Sequence, residues 1–381
     1  MRALLYILIF ISFTDLFAQL PITSTYARSI GATTGFIGFI VGAYSLSNLF
    51  SNLYSGYFVD RKGPKLTLLI GFLINGFILI LYSFVTSPFQ LLAIRFLNGL
   101  SAGIITPAAF TYLSLLNRGK KSGKTFAFSG ASVGLAAICG PAFSGIIASK
   151  AGSEVVYIII GCLMILAFFI TLCMKSVTVS QNNSNQKSSR QFFELFSSKG
   201  LVFAFVGAIC LSASQGILAY MLPLKVYQLE MADHISGMLM SIFGVIAILF
   251  FMLPTNKVYD RFSNEILLPI GMIIISVSQA ISGFGQNLTT LLISMIIYGI
   301  GFAIVFPSMS NLVAKYSKPK NRGTAFGVFY ACYSLGSFLG TSLTGAFSLP
   351  PREGFYVATI FLFSISIASL MFIRKKSSFH T

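Results

Sequence analysis

Long apolar runs broken by short polar stretches recur along the whole chain. Each run is close to the roughly 20 residues that a helix needs to cross bilayer hydrocarbon. They occupy 3–26, 35–57, 66–86, 89–113, 125–148, 155–174, 201–224, 236–255, 265–285, 288–312, 324–347 and 353–373. This pattern predicts an all-α membrane protein with twelve transmembrane helices. The first run follows Arg2 directly, carries Asp15 and lacks a small-residue cleavage site, so it reads as a span and not as a cleavable signal peptide.

The runs also repeat. Shifted by 200, "YFVDRKGPKLTLLIG" (57–71) lies over "KVYDRFSNEILLPIG" (257–271), pairing Asp60 with Asp260, Arg61 with Arg261 and Gly71 with Gly271. The register continues through Gly99 and Gly299, Pro107 and Pro307, Gly140 and Gly340, and Gly145 and Gly345. Upstream, a shift of 202 pairs Leu20-Pro21 with Leu222-Pro223, Gly35 with Gly237 and Gly42 with Gly244. The expected organisation is therefore two six-helix bundles in parallel repeat, 1–174 and 201–381, joined by a polar Asn/Ser-rich cytoplasmic linker, 175–200. Parallel repeats of this kind are one architecture of secondary transporters, whose halves rock about a site near the bilayer midplane.

Composition agrees with a membrane protein: 55% of the 381 residues are hydrophobic and 9% charged, with a mean hydropathy of +0.85. The net charge of +17 could suggest a nucleic-acid partner, but the placement of the cations excludes it. Arg95 lies within a span. Of the rest, Arg28, Lys150, Lys225 and Arg352 alone fall on the side opposite the amino terminus. By the positive-inside rule this bias puts both termini in the cytoplasm; the expected location is the plasma membrane, as a bacterial inner-membrane protein. The five cysteines fall within spans at no metal-ligand spacing and read as packing residues; the two histidines form no cluster. Neither a metal, a cofactor nor a nucleophile–base set is expected, which argues against an enzyme.

Three segments carry a family resemblance. "GYFVDRKGPK" (56–65) resembles the loop motif between the second and third spans of the major facilitator superfamily, matching at Gly56, Asp60, Arg61, Gly63 and Lys65 and departing at Phe58 and Pro64. "RFLNGLSAG" (95–103) is similar to that family's fourth-span motif. "GASVGLAAICGPAFSG" (130–145) resembles the fifth-span motif of its exporter branch, on Gly130, Gly134, Gly140, Pro141 and Gly145, although Ala136 and Ser144 stand where glycines are usual. The resemblance covers essentially the whole chain. It implies a monomeric exporter, similar to the drug:proton antiporters, that works by alternating access. It also implies that Asp60, with Arg61, Lys65 and the weaker copy Asp260-Arg261, latches the cytoplasmic side shut.

Candidate chemistry lies in the spans. Ser12, Asp15 and Gln19 recur at helical spacing and make one polar stripe; Arg95, Asn98 and Thr106 make a second. A third comprises Tyr44, Ser47, Asn48, Ser51, Asn52 and Ser55. These stripes are expected to line a water-filled cavity, with Asp15 as proton carrier and Arg95 as its partner. Burial favours the protonated form of a carboxylate and a nearby cation favours the ionised form, so substrate binding can tip the balance. A static buried pair is the alternative. In the second half Gln215, Tyr220, Tyr298, Tyr330 and Tyr333 are candidates for a neutral cavity wall, against plain aromatic packing.

The expected partners are a small-molecule substrate, protons and the lipid bilayer. A deep carboxylate favours lipophilic cations and points towards multidrug resistance. Arg95 and the scarcity of acids would also fit an anionic or zwitterionic cargo, and "TDLFAQLPI" (14–22) faintly resembles exporters of opine-type metallophores. Import of a sugar or nutrient is a third reading. A channel is disfavoured because no ring of charges or continuous polar pore is visible.

Overall fold

Inside hydrocarbon no water can satisfy backbone N–H and C=O groups, so an apolar run must close its hydrogen bonds within itself. In the computed structural model, which describes residues 2–116, 123–176, 195–252, 262–317 and 322–377, these runs are helices. The long helices are α1 (Arg2–Ser29), α2 (Thr34–Lys62), α3 (Pro64–Leu81), α4 (Pro88–Leu115), α5 (Gly123–Ala151), α6 (Ser153–Leu172), α7 (Lys199–Gln228), α8 (His234–Met252), α9 (Asn264–Phe284), α10 (Leu288–Tyr316), α11 (Arg322–Ala346) and α12 (Pro351–Ser377).

Ten of these helices are long and apolar enough to cross a membrane. The expectation of twelve is thus met in part. The described apolar stretch of α8, His234–Phe250, is shorter than a full span. Helix α11 is rich in Gly, Ser and Thr, and it spends those small residues packing against α2 and α7 instead of facing lipid.

The helix ends are locally determined. Gly63 separates α2 from α3 with φ of +82°, a conformation open to glycine, and Pro64 follows at the first position of α3, where its missing N–H costs nothing. Asn287 caps α10 by accepting from Thr290 N–H at 2.9 Å. The repeat is visible even in the turns. Helix α1 closes with Ala32 N–H donating to Ala27 C=O at 3.0 Å, and α7 closes with Met231 N–H donating to Val226 C=O at 3.1 Å.

Packing follows the same repeat. Helix α1 lies on α5, α2 on α4, and α3 on α4 and α6; in the second set α7 lies on α11, α8 on α10, and α9 on α10 and α12. The two sets meet along two seams, α2 with α11 and α5 with α8, which are equivalent under the repeat, and also where α1 meets α7. Glycines allow the closest approaches. A methyl group at Gly38 would lie 2.5 Å from Gly345 Cα, and one at Gly145 would lie 3.1 Å from Gly237 Cα. Large apolar side chains cover the outside, among them Phe77, Phe169, Ile360 and Phe363. Cys139, Cys162 and Cys173 are exposed on the surface of the bundle, contrary to the reading of all five cysteines as packing residues, and only Cys210 is buried.

Candidate functional site

The α1 stripe points into the first six helices. Ser12 returns its hydroxyl to Leu8 C=O of its own helix at 2.7 Å. One turn on, Asp15 is buried, 1% exposed. Asn75 Nδ2 donates to one of its carboxylate oxygens at 2.9 Å, and Gln19 Nε2 donates to the other. Gln19 Oε1 accepts from Arg95 Nη1. Arg95, also buried, reaches two backbone carbonyls of α2 as well, Val41 C=O from Nη2 at 3.2 Å and Ile40 C=O from Nε at 3.5 Å. Its guanidinium lies 5.0 Å from the centre of the Tyr44 ring.

Asp15 and Arg95 are thus joined through Gln19, with no direct ion pair between them. Below this chain Asn98 Nδ2 and Ser101 Oγ both donate to Asn75 Oδ1, at 2.8 and 2.6 Å. Asn98 Oδ1 accepts from Gln19 Nε2 at 3.2 Å and from the Tyr82 hydroxyl at 3.3 Å. Asn75, Ser101 and Tyr82 were not anticipated from the sequence. The signal was present for Asn75, a lone amide in the middle of "LLIGFLINGFILIL" (68–81), since a polar residue at such depth seeks partners within the bundle.

The α2 stripe is engaged with neighbouring helices. Asn48 Nδ2 donates to Gly99 C=O at 3.3 Å, Ser51 to Leu100 C=O at 2.6 Å and Ser55 to Ile104 C=O at 3.3 Å, all in α4. Across the seam Ser334 Oγ donates to Asn48 Oδ1 at 2.9 Å, Asn52 Nδ2 lies 3.3 Å from the same hydroxyl, and Ser45 donates to Ser337 at 2.9 Å. These residues form a polar ladder between helices in this structure, in place of the open cavity wall that was expected.

The second-half candidates divide. The Tyr220 hydroxyl donates to Thr34 C=O at 2.5 Å and so bridges α7 to the start of α2. Tyr298 is fully buried against Phe243 and Ser214, which makes it a packing residue here. Gln215 and Tyr333 bond each other. Tyr330 faces Phe110 of α4, ring centres 6.2 Å apart, and Phe110 stands edge-on to Phe13. This aromatic line crosses between the two sets of helices.

Of the expected latch, Gly56, Asp60 and Arg61 fall in the last turns of α2, with the side chains of Asp60 and Arg61 outside those described, while Asp260 and Arg261 lie outside the described residues. Lys65 donates to Leu172 C=O at 3.0 Å and to Met174 C=O, capping the end of α6. In α5, Gly130 lies in the helix, Gly134 packs on Ile248 of α8, and Gly140 lets the backbone of α1 approach at Phe17 and Ala18. Pro141 and Gly145 meet Gly237 of α8.

A repeated bundle of membrane-length helices with a buried charged network among the first six is an architecture of multi-pass transporters. The sequence model of the Major Facilitator Superfamily matches residues 5–232 and 204–380, and the chain belongs to that family. It is not an enzyme. It is 26% identical over 328 residues to an uncharacterized MFS-type transporter of Methanocaldococcus jannaschii, covering 84% of each chain. It is 23% identical over 349 residues to the quinolone resistance protein NorA of Staphylococcus aureus, covering 90% of this chain and 88% of NorA. The fold matches the crystal structure of the nucleoside transporter NupG with a TM-score of 0.73 at 19% identity, covering 97% of this chain and 98% of that one.

Proposed function

We propose that this chain is a proton-coupled exporter of lipophilic, cationic organic molecules in the plasma membrane. It would work by alternating access between two six-helix halves that together cross the membrane twelve times, with both termini cytoplasmic. The observation that carries this reading is Asp15, a buried carboxylate whose direct partners are neutral amides and whose only charged neighbour among the described residues, Arg95, is one side chain removed. An ionised carboxylate held this way invites compensation by a proton or by a cation. Exchange of one for the other is the minimum chemistry of antiport. Arg95 spends its guanidinium on Gln19 and two carbonyls, which favours a cationic cargo over the anionic or zwitterionic one. The likeness to NorA supports export of drug-like molecules.

The test is efflux of a lipophilic cationic dye from proteoliposomes under an imposed pH gradient. Efflux is expected with the unmodified chain and none above background with Asp15→Asn. Full gradient-driven efflux in the variant would remove Asp15 as the proton carrier. A dye that the unmodified chain ignores would turn the reading towards zwitterionic metabolites.

A further inference from the structure

We propose that Gln19 is the positioning residue through which the charge on Asp15 is transmitted to the seam between α2 and α11. The proposal rests on the proton-carrier reading of Asp15 and adds the route by which a proton there moves the halves. Gln19 has one orientation available in this network. Arg95 can only donate, so Gln19 must turn Oε1 towards it, which leaves Nε2 to face Asp15. Asn75 is fixed in the same sense, because Asn98 and Ser101 both donate to its Oδ1 and its Nδ2 must face Asp15. Asp15 therefore receives an N–H donor on each oxygen, the arrangement of an ionised carboxylate.

Protonation breaks this consistency. A proton on either oxygen of Asp15 turns that oxygen into a donor facing another donor. Each amide has two partners besides Asp15: Asn98 and Ser101 donate to Asn75 Oδ1, while Gln19 accepts from Arg95 at Oε1 and donates from Nε2 to Asn98 Oδ1 at 3.2 Å. A proton on Asp15 Oδ1, the oxygen that faces Gln19, makes Gln19 the member that turns, and its bond to Asn98 is lost with it. With its oxygen accepting from the Asp15 hydroxyl, its NH2 group faces the Arg95 guanidinium, donor against donor, and Arg95 must withdraw.

What Arg95 grips besides Gln19 makes this consequential. It holds the carbonyls of Ile40 and Val41, on the stretch of α2 whose other side touches α11. Gly38 lies against Gly345 and Thr341, Gly42 against Thr341 and Ser342, and Ser45 bonds Ser337. Release of the guanidinium loosens α2 where it meets the second half. Among the described residues Arg95 is the one charged group acting on Asp15, and α5, α7 and α8 bring no charge to it; the neutral titratable rings around the pair are Tyr44 of α2, Tyr82 just after α3, and Tyr157 of α6.

The experiment places spin labels at Thr33, before α2, and at the exposed Phe347, after α11, in a background with the native cysteines replaced. Distance distributions are recorded by double electron–electron resonance on the acid and alkaline sides of neutrality, without any substrate. A pH-dependent shift is expected with Gln19 present, and its loss in Gln19→Leu and in Asp15→Asn. A shift that persists in Gln19→Leu but is lost in Asp15→Asn overturns the relay and leaves the carrier standing. A shift that persists in Asp15→Asn overturns the carrier reading, and no shift in the parent protein overturns both. Should Gln19→Leu not fold, Gln19→Met keeps the length of the side chain, removes both polar ends and takes its place.

Discussion

Asn75 occupies the middle of α3, fully buried, with its donor on Asp15 and its acceptor shared by Asn98 and Ser101. Replacement by leucine, similar in volume, would strand Asn98 Nδ2 and remove one of the two donors on Asp15, while Ser101 keeps its bond to Asn98 C=O at 2.9 Å. Each buried polar group left unpaired costs about 1–3 kcal/mol. Asn75→Leu should therefore destabilise the protein by ~2–6 kcal/mol in sum, read as a lower midpoint of thermal unfolding in detergent, whereas Ser101→Ala should cost about 1 kcal/mol. Equal midpoints for Asn75→Leu and the parent would show that the network contributes nothing to the fold. Much of this site was legible in the sequence. Asp15, Gln19, Arg95 and Asn98 stand out because charges and amides in apolar spans at helical spacing must share a face. Asn75 was not, since a lone amide has no period, and the Gln19 bridge depends on side-chain reach that spacing cannot give.

At the scale of helices, the seams are set by backbone-to-backbone contact. Gly38 meets Gly345 Cα and Thr341 C=O, with no flexible side chain between them to yield. Gly38→Val should force α2 and α11 apart where Gly38 meets Thr341 and Gly345 and cut gradient-driven efflux at least ~10-fold, an effect of at least about 1.4 kcal/mol. The same change at Gly31, where no atom lies within 4 Å of a new Cβ, tests strain without crowding, because φ there is +90°. If both variants lose efflux equally, crowding at the seam is not the cause. Apolar runs and the shift of 200–202 anticipated the elements and their repeat. The exceptions were α8 and α11, and the destination of the α2 polar stripe. Serines and asparagines in a membrane helix can face water or another helix, and the choice of α4 and α11 over a cavity is made by tertiary packing that one sequence does not display.

For the whole molecule, the proposed alternating access would require that contacts between the halves be made and broken in each cycle. The seam of α5 with α8 brings glycine, proline, alanine and isoleucine into close contact: Gly237 with Pro141 and Gly145, Gly244 with Ala137 and Gly134 with Ile248. That of α2 with α11 carries Ser45–Ser337 and the Asn48–Ser334–Asn52 group. The first is held by close backbone approach. The second loses several hydrogen bonds on opening, each worth about 0.5–1.5 kcal/mol net, unless water replaces them. It is therefore the seam where a lock should act. Ser45 Oγ and Ser337 Oγ are 2.9 Å apart, so cysteines at both positions lie within reach of a disulfide. Oxidation of Ser45→Cys/Ser337→Cys in a background without the native cysteines should abolish net transport while leaving the protein folded. Reduction should restore it, and each single variant should be unaffected by oxidant. Transport at the parent rate in fully cross-linked protein would mean that the halves do not part here, and the moving contact would then have to be the seam of α5 with α8.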